Sequence, residues 1–79
     1  MPKLPVVSGE QVKKLLLKLG YTIVRQKDSH IQLKKAKDDQ EHAITVPNHD
    51  ELAVGTLNDI LTRVAEWNGI SKEKLIKML

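Results

Sequence analysis

A histidine beside a serine opens an alternating stretch that ends in lysines, and residues of these types can move protons next to an anion. The stretch is KDSHIQLKKAK, in which Ser29 and His30 precede the basic residues. Imidazole titrates near neutral pH, so His30 can accept a proton from a hydroxyl group or donate one to a departing oxygen. Lysine ammonium groups can hold phosphates and offset negative charge that develops during a reaction. The alternative interpretation is a polar residue on a solvated strand face.

RNA is a polyanion with chemistry that fits such a group. Its 2′-hydroxyl attacks the adjacent phosphorus once a base removes the proton, so the protein needs only to transfer protons and stabilise the phosphorane. Ser29 would orient the imidazole or a phosphate oxygen. A net charge of +3 and a pI near 9.3 suit a nucleic-acid partner, and equally a soluble domain rich in lysine. Only Tyr21 and Trp67 are aromatic, which disfavours base stacking and leaves phosphate contacts to dominate.

The length and the composition limit the kinds of protein that this chain can be. Its 79 residues are predicted to form one domain, 1–79, which buries roughly 60% of the unfolded surface. Cysteine is absent, which excludes a disulfide scaffold, thiolate metal sites and a cysteine nucleophile. The first residues, MPKLPVVSGE, contain no long apolar run, so neither a signal peptide nor a membrane span is predicted. We expect a soluble, cytoplasmic protein without a bound metal or cofactor.

The first helix is predicted to begin after Ser8. This serine can cap the N-terminus, and Gln11 occupies the third helical position, where it completes a capping box. Gly20 is expected to end the helix in a left-handed conformation. The predicted apolar stripe consists of Val12, Leu15, Leu16 and Leu19.

Three short strands are predicted to follow in direct succession. YTIVRQK is rich in β-branched residues, HIQLKKA alternates polar and apolar residues, and HAITV ends at Pro47. The polar segment KDDQE is the predicted turn between the second and third strands. In the third strand, Ile44 and Val46 are expected to face inward and Thr45 outward. Short links between successive strands favour an antiparallel meander.

Two helices complete the predicted order. TLNDILTRVAEW follows the loop PNHDELAVG and ends at Asn68 and Gly69, and Ser71 caps the short last helix KEKLIKML. A three-stranded sheet needs one covered face, which the helices can supply. The predicted fold class is α+β: a double-stranded-RNA-binding-like two-layer sandwich with a three-stranded antiparallel sheet, helices on one face and a short C-terminal helix.

Alternation along the second strand predicts which side chains reach the uncovered face of the sheet, which we call the open face. Ile31 and Leu33 are expected to face the helices, so His30, Gln32 and Lys34 point to solvent.

The turn before the second strand decides what shares the open face with the histidine. If Asp28-Ser29 is a two-residue turn, Lys27 pairs with His30, Arg25 joins His30 on the open face, and Val24 joins the core. A loop longer by one residue would shift the register of the first strand and move each of its side chains to the opposite face of the sheet. The cations expected on the open face are Arg25, Lys27 and Lys34.

Five motifs, taken in order, resemble the HicA family of mRNA-interferase toxins from about Ser8 through Trp67. They are a glycine-aromatic step, Arg-Gln before the turn, a Ser-His pair, a VP-x-H end to the third strand, and Gly-Thr-Leu at the helix. In this sequence they are Gly20-Tyr21, Arg25-Gln26, Ser29-His30, Val46-Pro47-Asn48-His49 and Gly55-Thr56-Leu57.

This resemblance implies a metal-independent endoribonuclease that cleaves mRNA, and a HicB-type antitoxin that masks the active face. The catalytic histidine of the family falls on His30, and the histidine after the third strand falls on His49, for which a supporting role is expected. Ser29 is the other expected supporting residue. The basic residues expected to bind RNA are Arg25, Lys27, Lys34 and Lys35. The alternative interpretation of Lys34, Lys35 and Lys37 is a charged edge that prevents strand aggregation.

One position departs from the family pattern, because Asp28 stands where the family usually has glycine. Aspartate adopts a positive φ at some cost, and its charge would repel RNA. The sequence therefore leaves a weakened or degenerate toxin open. Two further alternatives are an RNA-binding module that does not cleave, and a helix-turn-helix DNA binder formed by ILTRVAEWNGISKEKLIKML. The last alternative leaves the three strands unexplained.

Overall fold

The computed structural model describes residues 4–79, in which one helix precedes three strands and two helices follow them. The elements are α1 (Gly9–Lys18), β1 (Thr22–Lys27), β2 (His30–Lys37), β3 (Gln40–Pro47), α2 (Val54–Asn68) and α3 (Lys72–Met78). The sheet is antiparallel with the order β1-β2-β3, so β2 is its central strand. The predicted α+β class and the double-stranded-RNA-binding-like topology are confirmed.

The helix ends follow the local sequence signals. The Ser8 hydroxyl accepts a hydrogen bond from the Gln11 amide at 3.2 Å, and the Gln11 side chain accepts one from the Ser8 amide at 3.0 Å, which completes the predicted capping box. Gly20 and Gly69 have φ values of 100° and 67°, as predicted for the residues that end α1 and α2. Ser71 caps α3 through its hydroxyl. Local chemistry therefore sets where these helices begin and end.

The start of α2 is the exception. The helix begins at Val54, before the predicted start at Thr56, and it includes Gly55 in its first turn. Ala53 occupies the N-cap in an extended conformation without a side-chain hydrogen bond. Because no polar cap marks this end, the sequence carried no signal for it.

The core lies between the sheet and the helices. Ile31, Leu33, Ile44 and Val46 are each at most 7% exposed, whereas Thr45 is exposed, as alternation predicted. The helices contribute the other half of this core, mainly through Val12, Leu15, Leu16, Leu57, Leu61 and Val64. Among residues 4–79, no helix combines the length and the apolar character needed to cross a membrane.

The prediction that Val24 lies in the core is wrong. The β1–β2 pairing shifts by one residue between Ile23 and Arg25, so Val24 is the extra residue of a β-bulge and its side chain is 60% exposed. A bulge places two residues opposite one, which breaks strict alternation. Because Ile23 is also 41% exposed, β1 contributes little to the core.

His42, near the start of β3, is half-buried in an aromatic cluster on the helix-covered side. Its ring stacks on Trp67 with 5.3 Å between centroids, and the Tyr21 hydroxyl lies 2.5 Å from its Nδ1. The Asn68 amide donates to the same hydroxyl at 3.2 Å, and Lys35 donates to the Asn68 carbonyl oxygen at 2.7 Å. The Tyr21 hydroxyl therefore joins Asn68 to His42 in one hydrogen-bonded cluster.

The surroundings of His42 favour its neutral form. Burial lowers the pKa of His42 below its ordinary value of 6.5, and the positive charge of Arg63 lowers it further. The folded protein therefore binds fewer protons at this site than the unfolded chain does.

We predict that the free energy of unfolding falls as the pH is lowered from about 6.5, because protonation of His42 favours the unfolded chain. His42→Phe keeps a flat ring against Trp67 and removes the titration, so its stability should vary less with pH over this range. Urea unfolding at several pH values measures both. Glu10 does not confound the comparison, because its hydrogen bond with Lys13 lowers its pKa below 4.5. Equal pH dependence in the two proteins would contradict the assignment.

Candidate functional site

The open face carries the predicted histidine in a cluster of polar and basic side chains. Lys27 pairs with His30 across the first hairpin, and Arg25 pairs with Gln32. These four residues line a hollow of about 190 Å³, which we call the cationic hollow. Of the two registers that the sequence left open for the first hairpin, the structure has the one with a two-residue turn, which brings both cations to the face that exposes the imidazole.

Ser29 determines which nitrogen of His30 is free to meet a substrate. Its hydroxyl lies 3.2 Å from Nδ1 of the neighbouring imidazole, which leaves Nε2 for contacts outside the protein. When Nδ1 carries the ring proton and donates a hydrogen bond to the Ser29 hydroxyl, Nε2 has a free lone pair and can act as a base. The reverse tautomer would make Nε2 a proton donor. Ser29 itself is half-buried, so its position is set by the fold.

The turn that fixes this register contains Asp28, the departure from the family pattern. Asp28 has φ 28°, a positive value that L-residues adopt at a cost and that glycine adopts freely. The aspartate therefore takes the backbone conformation that glycine would favour, and the pairing of Lys27 with His30 is retained.

The segment after β3 is held against the start of β2 and against α1. The Asn48 amide donates to the Ser29 carbonyl oxygen at 2.7 Å, and the Gly9 amide donates to the His49 carbonyl oxygen at 2.9 Å. A Cβ atom at Gly9 would lie 2.0 Å from the Pro47 carbonyl oxygen, so only glycine allows this approach. The exposed His49 thus lies beyond the same end of the sheet at which His30 begins β2.

The two lysines that follow on β2 point to opposite faces. Lys34 is on the open face, where its ammonium group forms an ion pair with Glu41 at 2.8 Å. Lys35 is on the helix-covered side, where it bonds Asn68 and lies 5.8 Å from the centroids of the Tyr21 and Trp67 rings. The structure therefore groups Lys34 with the site residues and does not bring Lys35 to the open face.

Side chains that could hold a metal ion are not grouped at this site. Within the described range 4–79, no set of three or more His, Cys, Asp or Glu residues is arranged to bind one.

A comparison of the sequence with models of protein families identifies the family of this chain. The model of the family described as HicA toxin of bacterial toxin-antitoxin matches residues 9–65 of the 79-residue chain. This chain belongs to the HicA toxin family. It is therefore a toxin of a toxin–antitoxin system, and an antitoxin is its implied partner. Searches of curated proteins and of solved structures found no match.

Two features of this HicA-family site had no clear signal in the sequence. The bulge at Val24 depends on how β1 pairs with β2, which no local motif encodes. The role of Gly9 depends on its contact with Pro47, far away in the chain. The helix-side position of Lys35, in contrast, follows from its even spacing from Leu33, so strict alternation could have found it.

We predict that residue 28 tolerates glycine better than alanine, because an L-residue with a positive φ is strained by about 1 kcal/mol. Asp28→Gly should be at least as stable as the parent, and Asp28→Ala should be less stable than Asp28→Gly by about that amount. Urea unfolding measures the difference. Asp39→Ala, in the other hairpin turn, is the matched control and should change stability by less than about 0.5 kcal/mol. Equal stability of the glycine and alanine variants would show that the turn does not need this conformation.

Proposed function

We propose that this HicA-family toxin is a metal-independent endoribonuclease that cleaves mRNA, with His30 as the proton-transfer residue. The observation that carries the proposal is an exposed imidazole, hydrogen-bonded through Nδ1 to Ser29, that lines one hollow with Arg25 and Lys27. A base, an orienting hydroxyl and two fixed cations are the groups that RNA cleavage through the 2′-oxygen needs.

In the proposed reaction, Nε2 of His30 accepts the proton of a ribose 2′-hydroxyl. The 2′-oxygen then forms a bond to the adjacent phosphorus, and the bond from phosphorus to the 5′-oxygen of the next nucleotide breaks. The 5′-oxygen leaves with a proton from an acid or from water, and the products are a 2′,3′-cyclic phosphate and a 5′-hydroxyl end. Nδ1 keeps its proton and donates a hydrogen bond to the Ser29 hydroxyl throughout, which keeps Nε2 directed at the substrate.

Arg25 and Lys27 are proposed to stabilise the phosphorane. Both residues lie on β1 opposite the start of β2, so the sheet places both side chains beside the imidazole before the substrate arrives. Cations that are already near a developing anion can stabilise it with less reorganisation. Lys34 is proposed to hold a neighbouring phosphate, in competition with its ion pair to Glu41. Lys35 remains a candidate RNA contact only at another surface.

His49 is proposed to support the reaction from the segment that follows β3. Its backbone is fixed through Gly9, and its side chain is exposed at the end of the sheet where β2 begins. A second imidazole at this end can protonate the departing 5′-oxygen or contact a phosphate.

The partner is proposed to be a HicB-type antitoxin that covers the open face and thereby blocks access to His30. The site of action is proposed to be the cytoplasm, where mRNA is found. Basic side chains on this face give an antitoxin a target of opposite charge if its contact surface is acidic.

We predict that His30→Ala lowers the rate of RNA cleavage by about 10²- to 10⁴-fold, the usual contribution of a general base, and leaves RNA binding largely in place. The assay incubates purified protein with RNA and a chelator, and identifies fragments that end in 2′,3′-cyclic phosphate. Cleavage by His30→Ala at the parent rate would exclude His30 as the base. Binding without cleavage by the parent protein would favour the alternative of an RNA-binding module or a degenerate toxin.

We predict that Arg25→Gln and Lys27→Gln each weaken RNA binding and make it less dependent on salt. Each lost phosphate contact should reduce the slope of log K against log[salt] by about 0.7, the value for single strands. Lys14→Gln removes the same charge from an exposed position on α1 and serves as the control. A slope that changes as much for Lys14→Gln as for the site variants would mean that the cationic hollow does not bind the phosphates.

A further inference from the structure

A second hollow lies beside the cationic hollow on the open face. It has a volume of about 290 Å³, and its walls include Val24, Gln32, Lys34, Ala43 and Thr45. Gln32 lines both hollows, so the two are adjacent along the central strand. The volume is just below the range of about 300–1,000 Å³ that is usual for drug-sized ligands, which suits one small planar group.

The chemistry of the second hollow differs from that of the first. Of the wall residues named above, Lys34 alone is charged. Its Nζ lies 2.8 Å from Oε2 of Glu41, so this ion pair partly offsets its charge. The other walls present an amide from Gln32, a hydroxyl from Thr45 and methyl groups from Ala43 and Val24. We call this the neutral hollow. A phosphate would have to displace Glu41 from Lys34 to gain a charged contact there, whereas a neutral group with both apolar faces and polar edges is matched by the remaining walls.

The bulge in β1 gives the neutral hollow its apolar wall. With regular pairing, Val24 would be expected to point towards the helices, as alternation predicted. The register shift instead leaves it 60% exposed beside Ala43 and Thr45, which are exposed on β3. Bulges are common next to functional sites, where they redirect a side chain. An exposed valine at the back of a polar groove offers contact to the flat face of a ring.

The spacing of the two hollows fits one nucleotide. His30 and Gln32 are two residues apart on the same face of β2, which separates them by roughly 6.6 Å along the strand. In RNA, a base and its adjacent phosphate are joined through one ribose. An RNA with its scissile phosphate at His30 can therefore place a neighbouring base beside Gln32.

We propose that the neutral hollow binds one unpaired nucleobase of the substrate RNA and that the Gln32 amide reads the edge of that base. The proposal rests on the proposed ribonuclease function. An amide both donates and accepts, as a base edge does, and glutamine is a frequent reader of base edges. Gln32 is then the residue that determines which nucleotide lies next to the cleaved bond, while Arg25 and Lys27 bind phosphates of any sequence.

Binding of RNA by the His30→Ala protein tests the proposal without cleavage. Single strands of about ten nucleotides carry one abasic site, which is moved along the sequence. One abasic position should weaken binding by about 2- to 10-fold, as expected for a lost hydrogen bond, with the salt dependence unchanged. Adding Gln32→Leu should reduce this penalty, because the base then loses its amide contact and keeps only the apolar contact with Val24. Gln40→Leu, an exposed glutamine at the other hairpin, is the matched control and should retain it.

A cleavage assay with the intact His30 provides the second readout. Gln32→Leu should still cleave RNA but at a broader set of sequences, whereas Gln40→Leu should keep the parent pattern. An abasic penalty that is as large in Gln32→Leu as without this substitution, or a cleavage pattern that does not change, would overturn the base-binding assignment while leaving the ribonuclease proposal intact. Loss of antitoxin binding alone in Gln32→Leu would assign the neutral hollow to the protein partner. If the parent neither binds nor cleaves RNA, both proposals fall.

Discussion

The pairing of Lys27 with His30 across a two-residue turn is the constraint on which the candidate site depends. Side chains on a strand alternate between two faces, so the length of this turn decides which residues of β1 join His30 in the solvent. With the observed turn, both basic residues of β1 arrive beside the imidazole. Asp28 takes up the required positive φ in this turn, which keeps the register although glycine would adopt that conformation more readily.

A second constraint holds the end of the sheet together. Gly9 starts α1 so close to Pro47 that a side chain would collide with the backbone, and its amide bonds the segment that carries His49. The same segment bonds the backbone of Ser29, whose hydroxyl contacts His30. Packing of the first helix is thus linked to the geometry of the histidine through backbone contacts.

The two faces of the sheet divide the polar residues between structure and candidate chemistry. On the helix-covered side, hydrogen bonds join Lys35, Asn68, Tyr21 and His42 in a chain, and burial there lowers the pKa of His42 and favours its uncharged imidazole. On the open face, His30 meets solvent beside two cations. Two histidines of one small protein therefore have opposite surroundings, and only the face of the sheet to which each belongs accounts for the difference.

The sequence by itself determined the element order, the caps of α1 and α3, the core-facing residues of β2 and β3, and the family, because these follow from local chemistry and short periods. Alternation placed His30 in solvent and Ile31 in the core without reference to distant residues. Only the tertiary structure decided the bulge at Val24 and the contact of Gly9 with Pro47. Both depend on how segments far apart in the chain approach each other, and a residue's own type does not encode that approach.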